Sequence, residues 1–142
     1  MKLLVGCPTF DRRLDIDLFK TLLMIERQNK HHLDYLFPVS SHLSRNRNYI
    51  CTEALKGNYE GVLFLDSDIG INDENFIDKL IKTAYQLDAK VVGGAYRMKK
   101  PTEETIYIAG EKLDNGKYEN IRKIINTPRS VNSVGTGIML IF

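Results

Sequence analysis

Two carboxylates stand one residue apart in Asp66-Ser67-Asp68, directly after the most apolar run of the chain, Gly61-Val62-Leu63-Phe64-Leu65. An ionised carboxylate taken out of water costs on the order of several kcal/mol unless it is paired. A hard divalent cation would pair both. Mg²⁺ or Mn²⁺ accepts one or two protein carboxylates and fills its shell with waters and phosphate oxygens. As a Lewis acid it neutralises the charge that grows on a departing diphosphate. Aspartates at this spacing also arise when they simply cap a turn, so metal ligands and turn residues both stand as readings. The setting favours chemistry, because ligands of open sheets built from crossover units bind beyond the carboxyl ends of the strands.

Arg45 and Arg47 follow Ser44 near the start of a predicted helix, where guanidinium forks suit phosphate oxygens. A solvated helix face is the alternative. Helical spacing sets Arg47 on the side of Ile50, Cys51 and Ala54, so at least one of the two arginines is expected to point into the cleft. Asn48 is expected to bond backbone and hold the loop before the carboxylates. Arg97, Lys99 and Lys100 suit a diphosphate but read more readily as an exposed loop. Gly93-Gly94 and Gly135-Thr136-Gly137 allow a ligand close to backbone, or mark tight packing. Tyr96 and Phe10 could stack on a sugar or base, or pack the rim of the core. His31, His32 and His42 show no ligand spacing, and Cys7 and Cys51 read as small buried apolar side chains.

These residues need a scaffold. Leu3 to Cys7, Leu33 to Val39, Gly61 to Leu65 and Val91 to Tyr96 read as strands. Between them, Leu14, Leu18, Leu22 and Ile25, joined by Phe19 and Leu23, predict a helix through Gln28, and Ser44 predicts the N-cap of a second helix ending at Lys56. Asn72 or Asp73 is expected to cap a third, whose stripe is Phe76, Ile77, Leu80, Ile81, Ala84 and Leu87. The order βαβαβαβ predicts an α/β fold with a Rossmann-like, mostly parallel central sheet flanked by helices. Beyond Pro101, short runs such as Thr105 to Ala109 and the hairpin signal Asp114-Asn115-Gly116 predict a smaller antiparallel portion.

The bulk properties are those of one compact domain over residues 1–142, long enough to bury a core without staples. Twenty Lys plus Arg against 18 Asp plus Glu give a net charge of +2, which does not fit a general nucleic-acid binder. Two cysteines without zinc spacing form no disulfide framework and suit a reduced, cytoplasmic setting. No run is long and apolar enough for a signal peptide or a transmembrane span.

Ser44-Arg45-Asn46-Arg47-Asn48 resembles the S-R-A-R-N segment of glycosyltransferases with the A-type nucleotide-sugar-binding fold, especially the family-2-like group, with Asn46 in place of Ala. Cys7-Pro8-Thr9-Phe10-Asp11 is similar to the exit of their first strand, and Leu63 to Ile69 to their metal motif. Val92 to Lys99 and Val134 to Ile141 are similar to two further stretches, so the resemblance covers nearly the whole chain. It implies that Pro8, Thr9, Phe10, Arg45, Arg47, Asp66 and Ser67 meet the donor nucleotide and diphosphate. Asp66 would meet the ribose, with Asp68 the metal ligand and Asp66 beside it. Gly94, Tyr96, Gly135, Thr136 and Gly137 would face the donor sugar or acceptor. Val39-Ser40-Ser41 stands where many members carry an acidic turn for the base, which leaves UDP and GDP both open. Members also continue past V-G-T-G into a region that supplies a catalytic carboxylate, and the chain is expected to lack that C-terminal part.

The expected function is metal-dependent transfer of a sugar, as in a hexosyltransferase, from a UDP- or GDP-linked donor to an acceptor hydroxyl, with Mn²⁺ or Mg²⁺ as cofactor. The base is unassigned, since Glu103 and Glu104 are acidic but have no spacing argument. One alternative is a nucleotide-sugar-binding module without turnover. Another is an aspartyl-phosphate phosphatase, whose first Asp is a nucleophile. Its motif usually continues with Gly-Thr or Gly-Val, whereas Ile69-Gly70 follows here.

Overall fold

The computed structural model describes residues 1–96, 107–121 and 127–142. Its elements run β1 (Lys2–Gly6), α1 (Ile16–Gln28), β2 (His32–Leu36), α2 (Leu43–Lys56), β3 (Gly61–Leu65), α3 (Phe76–Leu87), β4 (Val91–Gly93), β5 (Ala109–Lys112), β6 (Tyr118–Asn120), β7 (Ser133–Val134) and β8 (Ile138–Ile141). The protein is mixed α/β. A five-stranded sheet in the order β2-β1-β3-β8-β4 is mostly parallel, and a three-stranded sheet in the order β6-β5-β7 is antiparallel. β1 pairs in parallel with β2 and β3, with Val5 opposite both Tyr35 and Leu63. β8 enters antiparallel between β3 and β4, setting Leu65 opposite Ile138 and Val92 opposite Leu140.

Strand alternation divides the core into two faces. Leu3, Val5, Leu63, Leu65 and Leu140 pack with Leu18 and Ile25 of α1 and with Phe76, Ile77, Leu80 and Ala84 of α3. Leu4, Val62 and Phe64 point the other way, onto Ile50 and Ala54 of α2. Such burial on both faces explains why β3 is apolar without alternation, all five of its residues being buried. α2 lies close against β1 at Gly6, where a Cβ would sit 2.6 Å from Ile50 Cγ2. Only glycine leaves room for that helix.

Several boundaries differ from the sequence expectation, each for a local reason. Leu14 lies before α1, which Asp15 caps by accepting from the Asp17 N–H at 2.9 Å. Phe19 and Leu23 are exposed, so the apolar stripe of α1 is wider than the face it buries. His42, not Ser44, occupies the N-cap position of α2, without a capping bond from its side chain, and Ser40 Oγ accepts its N–H at 3.1 Å. α3 starts at Phe76 because Asp73 organises a turn ahead of it, its side chain accepting from Asn75 N and its carbonyl from Phe76 N. Strand pairing of β2 stops at Leu36, with one further bridge between Thr9 and Val39. β4 ends at Gly93 rather than Tyr96. The hairpin expected at Asp114-Asn115-Gly116 joins β5 to β6, with Gly116 at φ 78°. Residues 105 and 106 of the run Thr105 to Ala109 lie outside the described residues.

Thr21, almost fully buried, ties α1 to the segment after Asp68. Its hydroxyl donates to Asp17 O at 2.9 Å, with Ile71 O a second acceptor at 3.3 Å, and accepts from Ile71 N at 2.8 Å. Thr21→Val keeps the shape but leaves the Ile71 N–H without its acceptor. Unfolding in urea should show a loss of about 1 to 3 kcal/mol, and a change below a few tenths would remove this anchor from the account.

Candidate functional site

Asp66 is the first residue past β3. Its N–H donates to Gly137 O at 3.0 Å, while its own carbonyl accepts from Ile69 N at 3.1 Å and closes the turn over Ser67-Asp68. Ser67 O accepts from Asp15 N at 2.9 Å. A Cβ at Gly70 would sit 2.7 Å from that of Asp17. The turn is therefore pinned between the entry of β8 and the first turn of α1. Asp68 stands exposed on it, with Asp66 and Ser67 half-buried.

Arg47 reaches this turn from α2. Its Nη2 donates to Asp66 Oδ1 at 2.8 Å and meets Thr136 O at 3.5 Å. The guanidinium carbon lies 6.0 Å from the centre of the buried Phe64 ring. With the two side chains 18% and 29% exposed, the pair is only partly solvated and its charges reinforce one another more than on an open surface. Helical spacing thus separates the two arginines as expected, Arg47 inward and Arg45 exposed.

Asn46 is the residue that sequence reasoning passed over. It is buried, and its Nδ2 lies 3.3 Å from both Thr9 O and Ser40 O, joining α2 to the exits of β1 and β2. That backbone-holding role was expected of Asn48, which is exposed instead. The signal was present: Asn46 stands four residues before Ile50, so the two share the inward face. Thr9 and Pro8 are buried at the same end of the sheet, and Phe10 is 73% exposed beside them. Thr9 Oγ1 and Arg47 Nε are both buried without a partner among the described residues.

The glycines of the β8 entry answer to packing. Cβ atoms at Gly135 and Gly137 would fall 2.5 and 2.8 Å from Tyr96 ring and hydroxyl atoms. Tyr96 OH accepts from Gly137 N at 3.0 Å, so its ring is wedged against this segment. Gly94 likewise faces Ile138, at 2.9 Å from a built Cβ. The structure gathers Thr9, Arg47, Asp66, Ser67, Asp68, Thr136 and Gly137 at one end of the sheet, with Tyr96 behind them. Arg97, Lys99, Lys100, Glu103 and Glu104 lie outside the described residues. Among the described residues no group of three or more His, Cys, Asp or Glu is arranged to hold a metal ion by itself.

A197 from STIV, known from its crystal structure, has a similar fold: the two superpose with a TM-score of 0.71 at 18% identity, over 99% of this chain and 64% of that one. The chain thus spans just under two thirds of that protein's length. At such identity the likeness is one of fold. No protein family matches the chain, and no curated protein does. Among the described residues no helix is long and apolar enough to cross a membrane.

Cys7, at the end of β1, is fully buried, and its thiol is pushed from about 9 up to about 12, by burial first and by the Asp66 carboxylate second. The folded value lies above the unfolded one, so this contribution to stability is complete below about pH 9 and is lost as pH rises toward 12. Urea unfolding at pH 8 and pH 10 should show the wild type losing about 1.4 kcal/mol more than Cys7→Ala between the two. Equal losses would mean that the thiol ionises as freely in the folded chain as in the unfolded one.

Proposed function

We propose that the protein is a metal-dependent glycosyltransferase with an A-type, Rossmann-like nucleotide-sugar fold, transferring a sugar from a UDP- or GDP-linked donor. The observation that carries the reading is the pairing of Arg47 with Asp66 beside Asp68, at the carboxyl ends of parallel strands where ligands of such sheets collect. Thr9 Oγ1 and Arg47 Nε support it as buried donors lacking acceptors among the described residues, since a ligand's anionic oxygens are acceptors.

The residues fit a hard cation of the kind that completes its shell with substrate oxygens. Asp68, exposed on its turn, would hold Mn²⁺ or Mg²⁺ with Asp66 beside it, and the ion would supply neutralisation of the leaving diphosphate's charge. Arg47 holds Asp66 in place and offers its remaining N–H groups to phosphate oxygens. Asn46 fixes the exit of β1, where Thr9 and Phe10 would border the nucleoside. Thr136 and Gly137, at the entry of β8, would border the donor sugar.

The phosphatase reading is disfavoured by Arg47, because the carboxylate required as nucleophile is already engaged in an ion pair. Calorimetry with UDP- and GDP-linked sugars, with and without Mn²⁺, tests the proposal. Binding of one nucleotide should require metal and weaken at least about tenfold in Asp68→Ala. Metal-independent binding, or an unchanged affinity in that variant, would dismiss the metal site. Binding with no turnover on any acceptor would leave a nucleotide-sugar-binding module as the better description.

A further inference from the structure

A cavity of about 590 Å³ opens away from the carboxylates, between α3, β4 and the small sheet. α3 turns one face to it, through Lys79, Leu80, Thr83 and Leu87, spaced as a helix side requires. The opposite wall is the stretch from Thr127 to Val134, and Tyr107 to Ala109 close one end. The wall is built on close packing, since a Cβ at Gly93 would sit 2.7 Å from Val134 Cβ. Asp66, Asp68 and Arg47 take no part in the lining. The volume falls within the range of sites that bury a small organic molecule, about 300 to 1,000 Å³.

The chemistry of the lining is one-sided. Leu80, Val92, Ile108, Val131 and Val134 make it chiefly apolar, with Thr83, Ser130 and Asn132 as scattered hydrogen-bonding groups. Among the described residues its charged members are Lys79 and Arg129, and no Asp or Glu is in the lining. Each cation touches an acid outside the lining, Lys79 with Asp73 at 2.6 Å and Arg129 with Glu111 at 3.1 Å. These are exposed pairs that hold their partners weakly, and an ammonium or guanidinium has further N–H groups to offer. An apolar chamber whose charged members among the described residues are two cations, each shared with an acid outside the lining, complements an apolar body bearing a single acidic group.

We propose that this cavity is a second ligand site that binds an amphipathic anion, the body against Leu80, Ile108 and Val134 and the acidic group toward Lys79 or Arg129. Among the described residues the site shares none of those assigned to metal or diphosphate, and of those assigned to the donor sugar or acceptor only Gly94.

Fluorescence titration with 8-anilinonaphthalene-1-sulfonate, followed by displacement with dodecanoate and with dodecan-1-ol below their aggregation limits, tests it. One molar equivalent of the dye should bind. Dodecanoate should displace it about tenfold more effectively than the uncharged alcohol, a preference that shrinks as salt rises. Thr83→Trp fills the chamber and should weaken the dye and dodecanoate about tenfold or more. Arg129→Glu, at a more exposed position, should abolish the preference for dodecanoate while leaving the melting curve in place, and keeps the test valid if Thr83→Trp does not fold. Dye bound at one equivalent, lost in Thr83→Trp and not displaced by dodecanoate, would narrow the ligand to an aromatic acid. No binding of either, equal displacement by the alcohol, or binding untouched by both substitutions would overturn the proposal. All of this should be unchanged in Asp68→Ala, so a failed metal site and a failed cavity site give different results.

Discussion

The ion pair between Arg47 and Asp66 constrains the end of the sheet where the two carboxylates sit. A carboxylate that follows five buried residues cannot be left half out of water without a partner, and breaking such a pair is more costly than its net contribution suggests, because a charge is then stranded. For Arg47 to reach it, α2 must lie close over β1. Gly6 allows that approach, Ile50 fills it, and Asn46 fastens the first turn of the helix to the loops after β1 and β2. The same guanidinium meets Thr136 O, so the entry of β8 is drawn into one cluster with α2 and β3.

The antiparallel placement of β8 follows from the same cluster. A strand running opposite to β3 brings its start, not its end, to the carboxyl side of the sheet, and so presents Thr136 and Gly137 beside Asp66. The small residues there are the consequence of Tyr96, which fills the space that their side chains would take and accepts the Gly137 N–H. Tyr96 O in turn accepts from Ile108 N, and Gly135 N donates to Ile108 O. Tyr96, through its side chain and its backbone carbonyl together, thereby helps to join the main sheet to the antiparallel portion.

Much of this was legible in the residues. The runs Leu3 to Cys7 and Gly61 to Leu65 declared buried parallel strands, and the placement of Asp66 and Asp68 after the second run located the candidate site. The inward turn of Arg47 followed from its helical phase. What was not legible depended on long-range partners. Periodicity gave α1 a stripe including Phe19 and Leu23, but it cannot say how much of a stripe a neighbour covers, and both are exposed. Nothing local in Val131 to Phe142 told that its second half inserts between β3 and β4, because register between distant strands is set by packing and not by composition. Gly135 and Gly137 were open to ligand approach or to tight packing, and the crowding of both by Tyr96 could not be read from the residues alone. Asn46 stands where the resembling segment has Ala, and its amide holds two loops that are distant in sequence from one another.

The charge balance of the cluster bears on how the two aspartates divide their work. Asp66 and Arg47 neutralise one another across their ion pair, so these two residues offer a diphosphate no net positive charge. A divalent cation would supply it, which is a physical reason for donor and metal to bind together under the transferase reading. That gain depends on Arg47 remaining in place, since an unpaired Asp66 would offset half of the ion's charge. Asp66 is half-buried and held at 2.8 Å by Arg47, while Asp68 stands exposed on the turn. Under the transferase reading the fixed Asp66 would suit the orientation of neutral hydroxyls, and the solvent-facing Asp68 the ion.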